Sequence, residues 1–397
     1  MTAETLPPPP NTIGPVAWLR ANLFSGPISS IITLVVAAAV AWLTLTVGGW
    51  AVTEARWQVV TDNLRLFLIG QFPPDQAWRV WLSLTVLSLL TGLSAGTYGH
   101  TTRVLAVTLS AIQVILAALV AISPLGPIPA VALLLNAALV WVAFVLGGRG
   151  WIPRRALLIA WLLSLPLTFL LLNGFEGTPF PSVPTNSWGG LLLTIMIATV
   201  GIILSFPLGV LLALGRRSSL PAVRILSTGY IELIRGVPLV TILFMAAIIL
   251  PLFLPPDWRL DRVARAMGAV TLFSAAYVAE NVRGGLQAIP TGQIEAAHAL
   301  GLSGVQTNLT IVLPQALRSV IPANVGLFIS LLKDTTLVTI VGLLEMLGIG
   351  RAVLAQSDSF GANFEVYAFI AAIFFILCYA MSQASYRLER QLGVGVR

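Results

Sequence analysis

Ten long apolar runs set the limits on what this chain can fold into. They cover residues 28–47, 80–93, 104–122, 128–146, 156–172, 190–214, 237–254, 267–277, 320–341 and 366–380. Most approach or exceed the roughly 18–20 residues that carry a helix across about 30 Å of hydrocarbon. Several contain a Gly or Pro, which membrane helices tolerate better than soluble ones. The run 267–277 is short by itself and is completed by the polar residues Glu280 and Asn281. In lipid every backbone polar group must be satisfied within its own segment. The runs therefore predict an all-α integral membrane protein with about ten transmembrane helices. Composition agrees: 57% of the 397 residues are hydrophobic and only 9% are charged, against roughly 25% charged in a soluble domain.

The net charge of +7 is then a question of placement. Ten spans with a cytoplasmic N-terminus put fourteen arginines inside, among them 149, 154, 155, 216, 217 and 224, and seven outside, with Lys333 left within a span. The loops "GGRGWIPRR" and "GRRSSLPAVR" are basic and carry no acid. This bias follows the positive-inside rule. It puts both termini and residues 284–318 in the cytoplasm and gives no reason to invoke nucleic acid. The start, "MTAETLPPPPNTIGPVAWLR", has no basic n-region and no small-residue cleavage site. Residues 1–27 are expected to be a retained cytoplasmic tail. Cys378, the single cysteine, excludes a disulfide framework.

Two halves differ in character. Residues 28–185 hold five spans with few ionisable groups. Between the first two, Trp50, Trp57, Val60, Leu64, Phe67 and Leu68 recur at roughly helical spacing. Residues 50–72 are expected to form an amphipathic helix on the outer membrane face, with a solvated loop as the other reading. The stretch "NGFEGTPFPSVPTNSWGG" is rich in Pro and Gly and marks the boundary. Residues 186–397 then hold five more spans. No internal repeat is evident, which speaks against an inverted-repeat transporter.

One polar segment interrupts the second half, "IPTGQIEAAHALGLSGVQTNLTIVLPQAL". Pro290 suits a helix start. Glu295 in the early turns suits the helix dipole, and Ala296, Ala297 and Ala299 leave a slim face. Gly301 reverses the chain at low cost. Ser303 and Gln306 have capping-box spacing for a second helix over 305–312, ending near Pro314. The residues alone leave two readings open. One is a hairpin that merely connects two spans. The other is a short helix built to dock into a cleft on a partner.

The spacing Glu295-Ala296-Ala297, Gly301, Ile311, Leu313-Pro314 resembles the signature of the permease subunits of bacterial ABC importers. Nearby, "YIELIRGVPL", "AAYVAENVRGGLQAIPTGQ" and "LLKDTTLVTIVG" resemble the polar amino-acid permeases of the histidine/glutamine type. The likeness covers roughly residues 185–397. The long N-terminal extension resembles the membrane subunits of general L-amino-acid importers. The resemblance implies a five-helix type I importer core preceded by a five-span extension, in a bacterial inner membrane. It also implies that the signature is a coupling helix seated in a groove of an ATP-hydrolysing subunit. The further partners it implies are a second permease subunit, an extracytoplasmic solute-binding protein and an amino-acid substrate. The extension favours a paralogous second subunit over an identical one.

Charged groups within the spans are candidates for function by default, since each costs at least about 2.5–3.5 kcal/mol to insert. Asp334 lies fourteen residues beyond Val320, about 21 Å along a helix. It is the candidate partner for a substrate ammonium, with Thr335, Thr336, Lys333, Tyr277 and Glu280 along the same path. A packing or gating bond is the other reading for Asp334. Lys333 and Asp334, being adjacent, point about 100° apart and cannot pair face to face on one helix. Glu232–Arg235 and Glu280–Arg283 stand at i, i+3 and read as structural ion pairs. His100 and His298 have no clustered ligands for a metal. No G-x-x-x-x-G-K-S/T occurs, so ATP and its Mg²⁺ are expected on a separate chain, and this chain is expected to hold no cofactor and to be no enzyme. The competing expectation is an ion-coupled secondary transporter using Glu280 and Asp334.

Overall fold

The computed structural model describes residues 14–175, 177, 180–255, 258 and 260–393. The chain divides into two compact units, Met1–Trp57 and Gln58–Arg397.

The first unit holds α1 (Pro15–Asn22) and α2 (Pro27–Thr53), each opened by a proline whose missing N–H costs nothing at that position. No residue of α2 is buried. A 27-residue helix that is apolar all round is suited to contact with lipid. Trp50 and Trp57 close its C-terminal end with ring centroids 6.0 Å apart.

The second unit begins with α3 (Gln58–Asp62) and α4 (Leu64–Ile69). These are two short helices rather than one continuous helix. Leu64 and Phe67 are fully buried within the protein. Phe67 packs edge-on against Phe369, with centroids 5.2 Å apart. The apolar spacing is the one expected, but it faces protein rather than lipid. Next come α5 (Trp78–Tyr98), α6 (His100–Ala121), α7 (Pro127–Gly148) and α8 (Arg154–Asn173). α5 and α7 meet through small residues, the usual device where lipid removes any hydrophobic drive between helices. A Cβ on Gly92 would stand 2.2 Å from the Val140 carbonyl oxygen, and one on Gly147 2.4 Å from that of Leu93.

The remaining elements are α9 (Gly190–Arg216), α10 (Pro221–Arg235), α11 (Leu239–Phe244), α12 (Leu250–Phe253), α13 (Arg262–Gln287), α14 (Thr291–Ala299), α15 (Gly304–Thr307), α16 (Leu313–Asp334), α17 (Met346–Leu354) and α18 (Asn363–Leu392). α10 and the arm that follows it meet at 106° across Gly236–Pro238. Pro251 cannot donate to Ala247, and a π turn over Met245–Ile249 precedes it. Arg265 on α13 donates to the Ala247 carbonyl thus left free.

The Pro- and Gly-rich stretch near residue 180 does not separate two cores. Phe72, Leu172 and Val183 share one buried cluster with Leu193, Ile197, Val270 and Leu331. Among the described residues, eight helices are long and apolar enough to cross a membrane, or nine if the bent pair is one span. α13 has the length, at 26 residues, but not the hydropathy. It carries Arg262, Arg265, Glu280 and Arg283. Beyond two isolated bridges, the described residues contain no β-structure.

Candidate functional site

The polar segment 289–317 is built from turn chemistry that its residues dictate. Pro290 is the N-cap of α14, and no side chain caps it. Glu295 is exposed in mid-helix rather than in the first turn, which holds no acid. Gly301 takes φ +79°. Leu302 N donates to Ala297 O at 3.1 Å and Gly301 N to His298 O at 2.9 Å. These are the two bonds of a Schellman ending. Ser303 and Gln306 form the expected reciprocal box, with bonds of 3.3 and 2.9 Å.

The second helix does not end at Pro314. α15 passes through a π turn over Asn308–Val312 directly into α16. The wider turn accommodates a proline ring that would otherwise meet the carbonyl of Thr310. The segment and span are thus one continuous helical rod from Gly304. Ala297, Val312 and Ala316 are buried. Val312 and Ala316 pack with Ala279, Val282 and Leu286 of α13, flanked by Leu313. Ala296 and Ala299 are exposed, as is Pro314. Leu300, Val305 and Leu309 stand out from the same segment, 81%, 68% and 57% exposed. The alanine spacing drew attention to the slim face and passed over these three apolar side chains beside it.

A second constellation gathers the C-terminal parts of α9, α10 and α13. Glu280 is its centre. Arg283 Nε donates to both of its carboxylate oxygens at 3.0 Å, and Arg283 Nη2 donates as well. Arg235 and Arg216 approach Glu280 at 3.5 and 3.6 Å. Arg216 also pairs with Glu232 at 2.9 Å. The expected Glu280–Arg283 pair is therefore present. The expected Glu232–Arg235 pair is not formed: Glu232 turns to α9 and Arg235 to α13, where interhelical partners are available. Arg235 also lies over the Tyr277 ring at 5.7 Å. Tyr277 and Glu280 are thus engaged with arginines rather than free. Arg216, the last residue of α9, escapes notice in sequence because the basic stretch "GRRSSLPAVR" reads first as a topology signal.

Lys333 and Asp334 form a third group. Leu331, just before them, packs against Gly201 and Val270. Gly201 is near the middle of the 27-residue α9, so the charged pair lies level with the middle of that helix. Lys333 is exposed and Asp334 half-buried, and no hydrogen bond or salt bridge joins them. Thr335 and Thr336 donate to Leu332 O and Lys333 O, each at 2.8 Å. Their hydroxyl protons are spent on their own helix, and only lone pairs remain for a ligand. Asn281 Nδ2 donates to Asn324 Oδ1 at 3.1 Å and ties α13 to α16 between the two charged groups. Among the described residues no group of three or more His, Cys, Asp or Glu is placed to hold a metal ion.

Among the described residues, eight or nine helices long and apolar enough to cross a membrane, with a polar segment continuous with one of them, define a multi-pass integral membrane protein. The family described as "Binding-protein-dependent transport system inner membrane component" matches residues 205–392. The chain is 37% identical to the glutamate/glutamine/aspartate/asparagine transport system permease protein BztC of Rhodobacter capsulatus, over 97% of this chain and 95% of that one. It is 36% identical to the inner membrane amino-acid ABC transporter permease protein YhdY of Escherichia coli, over 100% of this chain and 99% of that one. It is 38% identical to the probable glutamine ABC transporter permease protein GlnP of Bacillus subtilis, over 51% of this chain and 91% of that one. The chain belongs to the family of binding-protein-dependent transport system inner membrane components.

Proposed function

We propose that this chain is the transmembrane permease subunit of an ATP-driven amino-acid importer in a bacterial inner membrane, with both termini cytoplasmic. It forms half of the translocation path. A second permease subunit, paralogous rather than identical, forms the other half. An extracytoplasmic solute-binding protein delivers the amino acid. Two ATPase subunits, which bind the ATP and Mg²⁺, drive the cycle. The substrate class follows the names of the full-length relatives, which are amino-acid permeases.

The observation that carries the proposal is the form of the signature segment. Glu295, Ala296, Ala297 and Gly301 lie on a short helix with a fixed Schellman ending, and Leu313 and Pro314 lie on the rod that continues into α16. Leu300, Val305 and Leu309 give it an apolar face for a groove in an ATPase. Movement of that face is transmitted to α16 through continuous helix and to α13 through the Val312–Ala316 packing. Lys333 and Asp334 ride on the same rod. Asp334 takes the substrate ammonium in this reading, and Lys333 faces the path beside it.

Purification in mild detergent tests this reading. The ATPase is expected to co-purify with the native chain. Leu300→Asp and Val305→Asp, at positions exposed in the permease, should release it while leaving the permease folded. Retention of the ATPase by both variants would exclude the segment as its docking site.

A further inference from the structure

Glu345 stands at a junction of three elements. It is fully buried and lies outside the membrane-spanning helices, as the N-cap of α17. Its carboxylate accepts from Gly348 N at 2.8 Å on Oε1 and from Leu347 N at 2.9 Å on Oε2. A third donor is the Thr339 hydroxyl, which also bonds Oε1. Burial pushes this carboxyl above its usual range; the three donors and the Arg351 charge oppose the shift.

Thr339 belongs to a 3₁₀ turn, Thr335–Val341, that starts directly after Asp334. The turn ends at Gly342, whose φ of +80° lets the chain reverse toward Glu345. On the far side, Gly190 N donates to Leu344 O at 2.9 Å, and Met346 N donates to the Thr194 hydroxyl at 3.2 Å. The residues flanking Glu345 are therefore held by the N-terminal turn of α9. A carboxylate is the side chain that accepts at both oxygens here; a carboxamide keeps one acceptor oxygen and would present an N–H₂ to one backbone N–H.

We propose that Glu345 is a positioning residue for translocation: through Thr339 it fixes the segment 334–341 against α9 and so holds Asp334 in the path. The inference rests on the reading of Asp334 given above. The predicted consequence is a loss of coupling rather than a loss of fold.

The test is uptake of L-glutamine and L-glutamate by the purified whole complex in proteoliposomes, measured beside ATP hydrolysis. Thr339→Val removes one donor and leaves the cap of α17 in place. It should lower substrate carried per ATP by about tenfold, the scale of one hydrogen bond to a buried charge. Glu345→Ala should lower it at least as much, and the double variant no further than Glu345→Ala. Glu345→Gln, whose Oε1 still accepts from Thr339, should retain most of the wild-type ratio. Asp334→Asn is run in the same assay. An unchanged ratio in Thr339→Val overturns the role of Glu345 whatever Asp334→Asn does. So does a Glu345→Ala complex whose yield and transport fall together with the ratio intact. Unchanged transport in Asp334→Asn alone overturns the substrate reading on which the inference rests.

Discussion

Asp334 lies within an apolar run and Glu280 just beyond one, yet their surroundings give them different work. Glu280 is met by three guanidiniums from three helices. Asp334 has Lys333 as its sequence neighbour and no salt bridge among the described residues. Asp334→Asn is therefore expected to reduce uptake at least tenfold in the assembled transporter, with ATPase co-purification unchanged. Equal uptake of neutral amino acids by wild type and variant would remove the ammonium-partner role. Glu280→Gln is expected to lower the melting temperature of the detergent-solubilised protein more than Glu232→Gln does. Glu232 has one partner and its side chain is 55% exposed, so it contributes at most a few tenths of a kcal/mol after solvent screening. A thermal shift as large for Glu232→Gln would contradict that ranking. The chemical types at these sites were legible in sequence because a charge in an apolar run has few innocent explanations. Their partners were not. Arg216 reaches Glu232 and Glu280 across helix interfaces, and the spacing of Glu232 and Arg235 favoured a pair within α10 that the fold replaces with two better ones.

At the scale of elements, the segment 289–317 shows how far local chemistry reaches. Pro290, Gly301 and the Ser303–Gln306 box mark helix ends by satisfying backbone groups close in sequence, and each lies where its residue type requires. Pro314 misled for the complementary reason. A proline forbids one hydrogen bond, but a π turn just before it lets the helix continue. That continuation is what makes the segment one body with α16. Ser303→Ala should destabilise the box by about 1 kcal/mol and weaken coupling while leaving the spans folded; unchanged uptake would show that the turn is not stressed during transport. The apolar positions of residues 58–69 were also visible in sequence, but the identity of what covers them was not. Lipid and a neighbouring helix present the same apolar surface, so Leu64 and Phe67 read alike in either setting.

The whole molecule divides at residue 57 rather than near 185, and this has a direct consequence. Each of the two units is compact by itself. Removal of residues 1–57 should leave 58–397 folded and extractable in mild detergent. A chain beginning at residue 186 loses Phe72, Leu172 and Val183 from the cluster around Leu193 and Val270. It should be markedly less stable, as loss of several buried large side chains at about 2–5 kcal/mol each implies. Comparable melting temperatures for the two truncations would contradict a shared core. The ten apolar runs foretold helices because length and hydropathy suffice for that. They did not foretell which helices share a core, since that depends on contacts such as Val183 with the helices that follow.

ATP-driven uptake of L-glutamine by the reconstituted complex, compared between wild type and Gly301→Val, addresses the proposed mechanism most directly. Gly301 has nothing within 4 Å of an added Cβ, but its φ of +79° strains any L side chain by roughly 1–2 kcal/mol. The substitution therefore perturbs the turn of the segment without a clash elsewhere. Uptake that requires ATP, is indifferent to an ion gradient, and falls at least tenfold in Gly301→Val is the expected result. Uptake driven by an ion gradient without ATP, or unaffected by Gly301→Val, would contradict it.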